Sequence, residues 1–192
     1  MLVTAKRTTP NRSRRTPTGQ TRTHTRQGNG KRGASQAREE KCQACRDLGA
    51  DLAINYREQD FVEAAKEFTG GKGADVILDM VGGDYLPRNL KALNRDGRLV
   101  NIAFMQGAKI EVNFMPLMLK RQTITGSTLR AQSVAAKAKI GKAVKETAWP
   151  LIEAGKVKPV IYKTFSLDQA KEAHELMESN KHIGKIVFQV AE

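Results

Sequence analysis

The sequence predicts an α/β fold in which helices cover both faces of a parallel sheet, and three observations lead to it. Residues 74–83 and 97–105 are continuous apolar runs, as expected of strands buried on both faces. A shorter apolar run at 51–56 precedes them. Segments of about 10–15 residues with apolar side chains at helical spacing separate the three runs. Strands that alternate with helices in this way form a doubly wound parallel sheet.

Each predicted element from residue 39 onward has its own local signal. Cys42, Cys45 and Leu48 recur at helical spacing before Gly49, which is a helix-ending residue. The other helices repeat this pattern, and the strands are apolar or alternating runs bounded by glycine or polar residues. The predicted helices are 39–50, 58–73, 85–97, 115–121, 133–154 and 166–179. The predicted strands after residue 105 are 110–114, 122–128, 160–167 and 184–190.

Residues 1–40 differ in composition from the domain predicted over 41–192. They contain ten of the Lys and Arg side chains against two Glu, in a chain whose net charge is +13. With no aromatic residue, they cannot bury enough apolar area to offset the entropy of ordering, so we expect a disordered basic tail. The tail could bind nucleic acid or another acidic partner, or act as a presequence, although a solvated tail without a role is the simpler interpretation.

Composition also bears on membranes and metals. No apolar run approaches the roughly 20 residues that span a bilayer, so we expect a soluble protein with no membrane partner, by default in the cytoplasm. Cys42 and Cys45 form a single C-x-x-C, too few ligands for a structural zinc site. They are interpreted as ordinary helix thiols, with a redox pair as the alternative. His174 begins H-E-L-M-E, which departs from the zinc-protease motif, and is expected on the core face of its helix.

Gly28, Gly30 and Gly33 match the G-x-G-x-x-G spacing of a loop that binds dinucleotide phosphates. Such a loop requires a buried strand before it and a helix after it, whose amino-terminal N–H groups meet the phosphate. The preceding residues, TRTHTRQ, cannot form a buried strand. The match is therefore interpreted as accidental.

Two side chains at predicted strand ends could meet a ligand. Asp79 ends a buried strand, and open α/β sheets bind ligands outside the carboxyl ends of their strands. Asp79 could equally well cap the turn that follows it. Tyr56 ends the previous strand, either at the same crevice or as a half-buried amphipathic residue. No Ser/His/Asp, Cys/His or metal-binding arrangement is found in the sequence.

Five segments together resemble a known family. They are LGADLAINYREQDF, GGKGADVILDMVGGDYLPRNLKAL, DGRLVNIAFMQG, FMPLMLKRQTITGSTLR and AKEAHELMESNKHIGKIVFQV. In this order they resemble the carboxy-terminal half of the zinc-independent quinone oxidoreductases, the zeta-crystallin-like branch of the medium-chain dehydrogenase/reductase superfamily. The resemblance covers residues 41–192.

The resemblance implies a dimeric, two-domain enzyme without zinc that transfers a hydride from NADPH, less readily from NADH, to a quinone or an enone. By position, Lys41 and Tyr56 match the residues that favour the 2′-phosphate of NADPH, and a cationic amine with a phenol hydroxyl suits that task. The other matched cofactor-binding residues are Val81 and Gly82 beside the ribose, Phe104, Met105, Leu129 and Arg130 beside the nicotinamide, and Lys185 near the same cleft or in a structural role.

The chain departs from the family pattern before residue 41. In the Rossmann-like order 3-2-1-4-5-6, the strands near 51–55, 75–80 and 98–104 are strands 3, 4 and 5. Strands 1 and 2 and the glycine loop are absent, so we expect an incomplete sheet with a central gap. A truncated or mistranslated oxidoreductase with impaired activity follows from this. The alternative is a non-enzymatic basic protein that binds nucleic acid or acidic partners through residues 1–40.

Overall fold

The computed structural model describes residues 2–5, 31–36 and 38–190. The chain divides into two compact units, Met1–Ala131 and Gln132–Glu192. They are called here the amino-terminal unit and the carboxy-terminal unit. Each has its own sheet and helices, whereas the sequence pattern predicted one domain over 41–192.

A six-stranded sheet in the order β3-β2-β1-β4-β5-β6 forms the centre of the amino-terminal unit. β2 pairs in parallel with β3, and β4, β5 and β6 pair in parallel with one another. The α/β class with parallel strands is therefore confirmed. The strands are β1 (Leu2–Ala5), β2 (Lys31–Gln36), β3 (Leu52–Asn55), β4 (Ala74–Asp79), β5 (Leu93–Asn101) and β6 (Thr123–Gly126). The helices are α1 (Glu39–Asp47), α2 (Phe61–Phe68), α3 (Tyr85–Ala92) and α4 (Met115–Leu119).

The two places that the sequence predicts to be empty are occupied by β1 and β2. β2 lies beside β3, and β1 lies between β2 and β4, antiparallel to both. The edges of β3 and β4 carry backbone N–H and C=O groups that need partners, and short strands can supply these whether apolar, as β1 (LVTA), or polar, as β2 (KRGASQ). The composition argument for a disordered tail considered side-chain burial alone. Residues 6–30 of that segment lie outside the described residues.

Gly33 lies within β2, where it pairs with Val3 and Leu52. A residue held in a strand on both sides cannot form part of a phosphate-binding turn. Gly28 and Gly30 lie outside the described residues. The interpretation of the glycine spacing as accidental thus agrees with the position of its third glycine.

The core of this unit is made of aliphatic and aromatic side chains from the sheet and the two helices α2 and α3. Asp60 begins α2, because its Oδ1 accepts hydrogen bonds from the N–H groups of Val62 (2.7 Å) and Glu63 (3.3 Å). The largest fully buried core side chains are Phe61, Ile54, Ile77, Leu90, Leu93 and Leu99. This packing fixes β3, β4 and β5 relative to one another.

Three sequence predictions about elements were wrong. The helix expected over 85–97 ends at Ala92, because the residues that follow belong to β5, where Leu93 pairs with Ala74. Residues 110–114 are not a strand, because β6 already pairs with β5, and Val112 instead packs against the core. The helix expected over 133–154 is two helices, α5 (Val134–Thr147) and α6 (Trp149–Glu153), which meet at Ala148. Pro150 lies in the first turn of α6, where its missing N–H is tolerated, whereas it would break a continuous helix.

The carboxy-terminal unit contains α5 and α6, and its sheet has two parallel strands, β7 (Ile161–Ser166) and β8 (Lys185–Gln189), with α7 (Ala170–Glu178) between them. His174 is exposed, contrary to the expectation of a core position, whereas Ala173 is buried. A two-stranded sheet offers α7 only a narrow surface to cover, so Ala173 is the one buried residue of this helix. None of the helices in the described part of the chain is long and apolar enough to cross a membrane.

Candidate functional site

Three strands of the amino-terminal unit's sheet that run in the same direction end on a buried Asn or Asp. Asn55 ends β3, Asp79 ends β4 and Asn101 ends β5, with 5%, 0% and 6% of their surfaces exposed. Each follows an aliphatic stretch in the sequence, as in LAIN, VILD and RLVN. Because the carboxyl ends of parallel strands lie at one edge of a sheet, the three polar side chains lie along the edge where such sheets bind ligands.

The Asp79 carboxylate is the centre of a hydrogen-bond network. Its Oδ1 accepts from the Val81 N–H (2.9 Å), and its Oδ2 accepts from the Gly82 N–H (3.2 Å). Oδ2 also accepts from Nδ2 of Asn89 on α3 and from Nδ2 of Asn101 on β5, both at 3.2 Å. Asp79 therefore caps the turn that follows β4 and also joins that turn to a helix and a neighbouring strand.

Two loops leave this edge and bind to each other. They are the β4 loop (residues 80–84) and the β5 loop (residues 102–107). The N–H groups of Met105 and Gln106 donate to the carbonyl oxygens of Met80 (3.1 Å) and Val81 (2.8 Å). In the opposite direction, the Gly83 N–H donates to the Gly107 carbonyl at 2.9 Å. The loops therefore form one backbone-bonded structure.

Gly82 is required by the close approach of these loops. Its φ is +69°, in the left-handed region that favours glycine. A Cβ at this position would lie 2.7 Å from Cδ1 of Phe104 and 2.9 Å from the Gly107 oxygen. The predicted cofactor contacts Gly82 and Phe104 are thus neighbours in the structure.

Four apolar side chains of the joined loops face solvent, beside the exposed polar residues Asp84 and Gln106. Phe104 is 52% exposed and Met105 is 77% exposed, and Met80 and Ile102 are also exposed. Leu129, exposed, and Arg130 follow β6, whose last residue, Gly126, is the register partner of Asn101. Val81, Gly82, Phe104, Met105, Leu129 and Arg130 are therefore all placed at the same edge of the sheet. Exposed apolar surface of this kind marks ligand or protein contact sites.

Lys41 and Tyr56 lie at the other end of this edge, near the carboxyl ends of β2 and β3. The Tyr56 N–H donates to the Gln36 carbonyl (3.0 Å), which holds Tyr56 beside the last residue of β2. Lys41 lies in the first turn of α1, which follows β2 after a short connection. The ring of Tyr56 contacts the edge of Tyr85 on α3, with 6.5 Å between ring centres. The structure therefore brings both residues to one corner.

Lys185 is the one predicted site residue that belongs to the carboxy-terminal unit. It is the first residue of β8, its side chain is exposed, and its N–H donates to the Val160 carbonyl at 2.7 Å. This backbone bond does not depend on the side chain, so both predicted roles of Lys185, near the cofactor cleft or structural, stay predictions.

The C-x-x-C residues lie on α1, with Cys42 buried and Cys45 half-buried. Burial, and secondarily the nearby Glu39 carboxylate, raises the pKa of the Cys42 thiol. A raised pKa disfavours the thiolate that redox exchange or metal binding requires. In the part of the chain that the structure describes, no group of three or more His, Cys, Asp and Glu side chains could hold a metal ion.

Sequence reasoning missed Asn89 and Asn101 as parts of the site. Asn101 had a signal, because it closes an aliphatic strand in the same way as Asp79. Asn89 had none, since a polar residue on a helix is ordinarily solvent-exposed. Only the packing of α3 against the sheet buries it beside the carboxylate.

Comparison with known proteins identifies the family. The sequence profile of the zinc-binding dehydrogenase family matches residues 48–188. The chain belongs to this family. It lies in the medium-chain dehydrogenase/reductase superfamily, and it corresponds to the carboxy-terminal half of such proteins. The recognition made from the five segments is confirmed.

Curated relatives and solved structures agree with this family. Quinone oxidoreductase 1 of Escherichia coli (strain K12) is 35% identical over 143 residues, which are 73% of this chain and 43% of that protein. The 2-haloacrylate reductase of a Burkholderia species is 32% identical over 152 residues, 78% of this chain and 45% of that protein. The chain thus spans less than half the length of these relatives.

The solved structures show the same partial coverage. The crystal structure of Escherichia coli quinone oxidoreductase complexed with NADPH has a TM-score of 0.68 and 31% identity, covering 81% of this chain and 48% of that one. The structure of a 2-haloacrylate reductase has a TM-score of 0.69 and 29% identity, covering 83% and 50%. The chain therefore has a partial Rossmann-like domain of this superfamily.

Proposed function

We propose that this chain carries the nicotinamide-binding edge of an oxidoreductase that transfers a hydride from NADPH to a quinone or to an activated double bond. The observation that carries the proposal is the pair of bonded loops at the carboxyl edge of β4 and β5, which exposes Phe104 and Met105. Open α/β sheets bind ligands at this edge. The names of the relatives, quinone oxidoreductase and 2-haloacrylate reductase, support this substrate class.

The described residues fit the nicotinamide end of the cofactor. NADPH supplies the hydride when it is bound, and the chain provides an apolar surface against which its ring can pack. Val81 and Gly82 are assigned to the ribose, and the exposed side chains of Phe104, Met105 and Leu129, with Arg130, are assigned to the nicotinamide. Apolar surroundings exclude water from the reacting atoms.

The residues at the other corner fit the adenosine end. A 2′-phosphate distinguishes NADPH from NADH, and Lys41 and Tyr56 offer a cation and a phenol hydroxyl at one corner of the sheet. We therefore assign the preference for NADPH over NADH to these two residues.

The described residues fit the pyrophosphate at the centre of the cofactor less well. A glycine loop that binds the pyrophosphate follows a strand whose carboxyl end lies at the ligand edge. β1 runs antiparallel to β4, so its carboxyl end lies at the opposite edge of the sheet. For this reason we expect this chain alone to bind NADPH weakly and to have impaired activity. We further propose that the substrate is a quinone or an enone and that catalysis needs no zinc. We also propose that the protein is a homodimer in the cytoplasm.

Isothermal titration of the purified chain with NADPH and with NADH tests the proposal. We expect heat with NADPH and less with NADH. Lys41→Gln and Tyr56→Phe should each reduce the preference for NADPH, since each removes one group from the 2′-phosphate corner. Lys72→Gln, the same change at an exposed residue before the amino end of β4, serves as the control and should leave both affinities unchanged. No heat with either nucleotide contradicts the proposal.

The second candidate function is binding of nucleic acid or another acidic partner through residues 1–40. Their composition favours it, because they contain ten Lys and Arg against two Glu. Binding of this kind weakens steeply with salt, because it releases condensed counterions. Titration of a fluorescent DNA duplex at low and high salt tests it. Salt-insensitive binding, or no binding at low salt, excludes this candidate.

A further inference from the structure

Asp79 is a fully buried carboxylate that accepts hydrogen bonds from its own loop, from α3 and from β5. We propose that Asp79 is a positioning residue, which holds the β4 loop and the β5 loop in the one arrangement that receives the nicotinamide end of the cofactor. This inference rests on the proposed function and deepens it.

The first step is that this position needs a carboxylate. Burying a charge is costly unless it is paired or well hydrogen-bonded, and no ion pair with Asp79 exists among the described residues. Instead, four N–H groups donate to its two oxygens. An asparagine has one oxygen, so in either orientation its NH2 group would face at least one of these N–H donors. A carboxylate has an acceptor oxygen on both sides and meets all four.

The second step is that Asn89 serves this carboxylate. Asn89 is fully buried on α3, and its Nδ2 donates to Asp79, whereas its Oδ1 has no hydrogen-bond partner among the described residues. An unsatisfied buried oxygen costs free energy. The fold therefore retains a buried amide whose one side-chain bond is to Asp79, which connects the helix to the end of β4.

The third step is the connection to the surface. Asp79 fixes the N–H groups of Val81 and Gly82, and its backbone carbonyl accepts from the Ile102 N–H at 2.8 Å. The β5 loop then bonds to the Met80 and Val81 carbonyls. The apolar groups that face solvent, Phe104 and Met105, thus depend on an anchor that has no contact with solvent.

The test compares two variants at the anchor with one control. Asp79→Asn removes the charge. Asn101→Ala is a milder change that removes one of the four hydrogen bonds, and it serves as the test variant if Asp79→Asn does not fold. Asp96→Asn is the matched control, because Asp96 is exposed, pairs with Arg121 and lies toward the amino end of β5. Circular dichroism verifies that each variant is folded.

Two measurements are made on each folded variant. The first is hydrogen exchange of the amides in residues 80–84 and 102–107 without cofactor. The second is the Kd for NADPH and for 2′,5′-ADP, which contains the adenosine end of the cofactor and lacks the nicotinamide.

We expect both loops of Asp79→Asn to exchange about tenfold faster, and the Kd for NADPH to rise roughly tenfold, as for the loss of one charge-assisted bond. The Kd for 2′,5′-ADP should stay within about twofold, because Lys41 and Tyr56 lie at another corner. Asn101→Ala should change the same quantities in the same direction by a smaller factor. Asp96→Asn should change none of them.

Several outcomes overturn the inference. Unchanged exchange in the β5 loop shows that Asp79 does not hold it, whether or not NADPH binds. If the affinities for NADPH and for 2′,5′-ADP fall by the same factor in Asp79→Asn, Asp79 has a general structural role rather than a positioning one. If the unsubstituted chain binds 2′,5′-ADP and NADPH equally, the joined loops make no contact with the nicotinamide. If it binds neither, the proposed function itself fails, and the assignment of Asp79 to the cofactor fails with it.

Discussion

Two regions of the six-stranded sheet are held by different interactions. The first, called here the aliphatic side, consists of β4 and β5 with the helices that cover them, and the second contains β1 and β2. β4 and β5 bury Ile77 and Leu99 against the helices, and their strands are rich in aliphatic residues. In β2, Ala34 is the single buried hydrophobic residue among the side chains that the structure describes. β1 and β2 complete the sheet by pairing with each other and with β4 and β3. In β2, whose sequence KRGASQ is largely polar, a place in the sheet is therefore filled by backbone pairing where the apolar signal is weak.

Leu99→Ala should give the largest effect, on the aliphatic side of the sheet. Leu99 is fully buried, so we expect a loss of about 2–5 kcal/mol in the free energy of unfolding, from lost burial and the cavity left behind. Urea unfolding monitored by circular dichroism measures it. Leu119→Ala, the same change at an exposed residue of α4, should cost less than about 0.5 kcal/mol. Similar losses in the two variants would show that this side is not held by burial.

Ala34→Pro tests the side that is held by pairing. β2 has a partner on each side, so removing the Ala34 N–H removes a hydrogen bond of the sheet, at a cost of about 1–3 kcal/mol. Hydrogen exchange should show faster exchange of the β3 amides, alongside the change in urea unfolding. Ala34→Ser keeps the N–H and should preserve slow exchange in β3. If the β3 amides exchange at the same rate in both variants, the pairing of β2 with β3 is contradicted.

Asp60→Ala removes the amino-terminal cap of α2, which covers the aliphatic side. Loss of the two backbone N–H bonds should cost about 1 kcal/mol at pH 7. Burial acts to raise the pKa of Asp60, but the N–H groups of Val62 and Glu63, together with Arg88, outweigh it and lower that pKa. A carboxyl group with a lowered pKa stabilises the fold above its unfolded pKa of about 3.9, and this is lost as the pH falls through the lower, folded value.

Urea unfolding of the wild type and Asp60→Ala from pH 7 to pH 2 measures this dependence. The difference between the two free energies of unfolding should be constant above about pH 5 and should become smaller below about pH 4. Asp60→Asn keeps an acceptor oxygen without the charge, so its stability should lack this pH dependence. A difference that widens as the pH falls would exclude the capping carboxylate as its cause.

Glu63→Gln should have the smallest effect. Lys66 Nζ lies 2.9 Å from Oε1 of Glu63 in an exposed pair on α2, and such pairs contribute about 0.2–0.5 kcal/mol. Thermal unfolding at low salt measures the loss, which should disappear in about 1 M salt, where screening is strong. A larger loss of stability, or a loss that persists in about 1 M salt, would contradict the small contribution expected of this exposed ion pair.

The elements that depend on local side-chain patterns could be predicted. β4 and β5 follow from their aliphatic runs, and α2 follows from its apolar spacing. The strand expected at 110–114 failed because an alternating pattern does not reveal that β6 takes the place beside β5. His174 failed for a related reason, because a helical stripe is buried only when a wide enough surface lies opposite it. For the site, Asp79 was recognised at its strand end, whereas Asn89 could be recognised only after α3 was placed.

The sequence by itself determined most of the helices and strands from residue 39, the α/β class and the family, because apolar periodicity and motif order are properties of the chain read in one direction. The tertiary structure alone decided which segments complete the sheet and in which direction they run. It also decided that four N–H groups converge on Asp79. Both depend on which backbone and polar groups remain unpaired once the other elements have packed, and that is set by contacts between residues far apart in the chain.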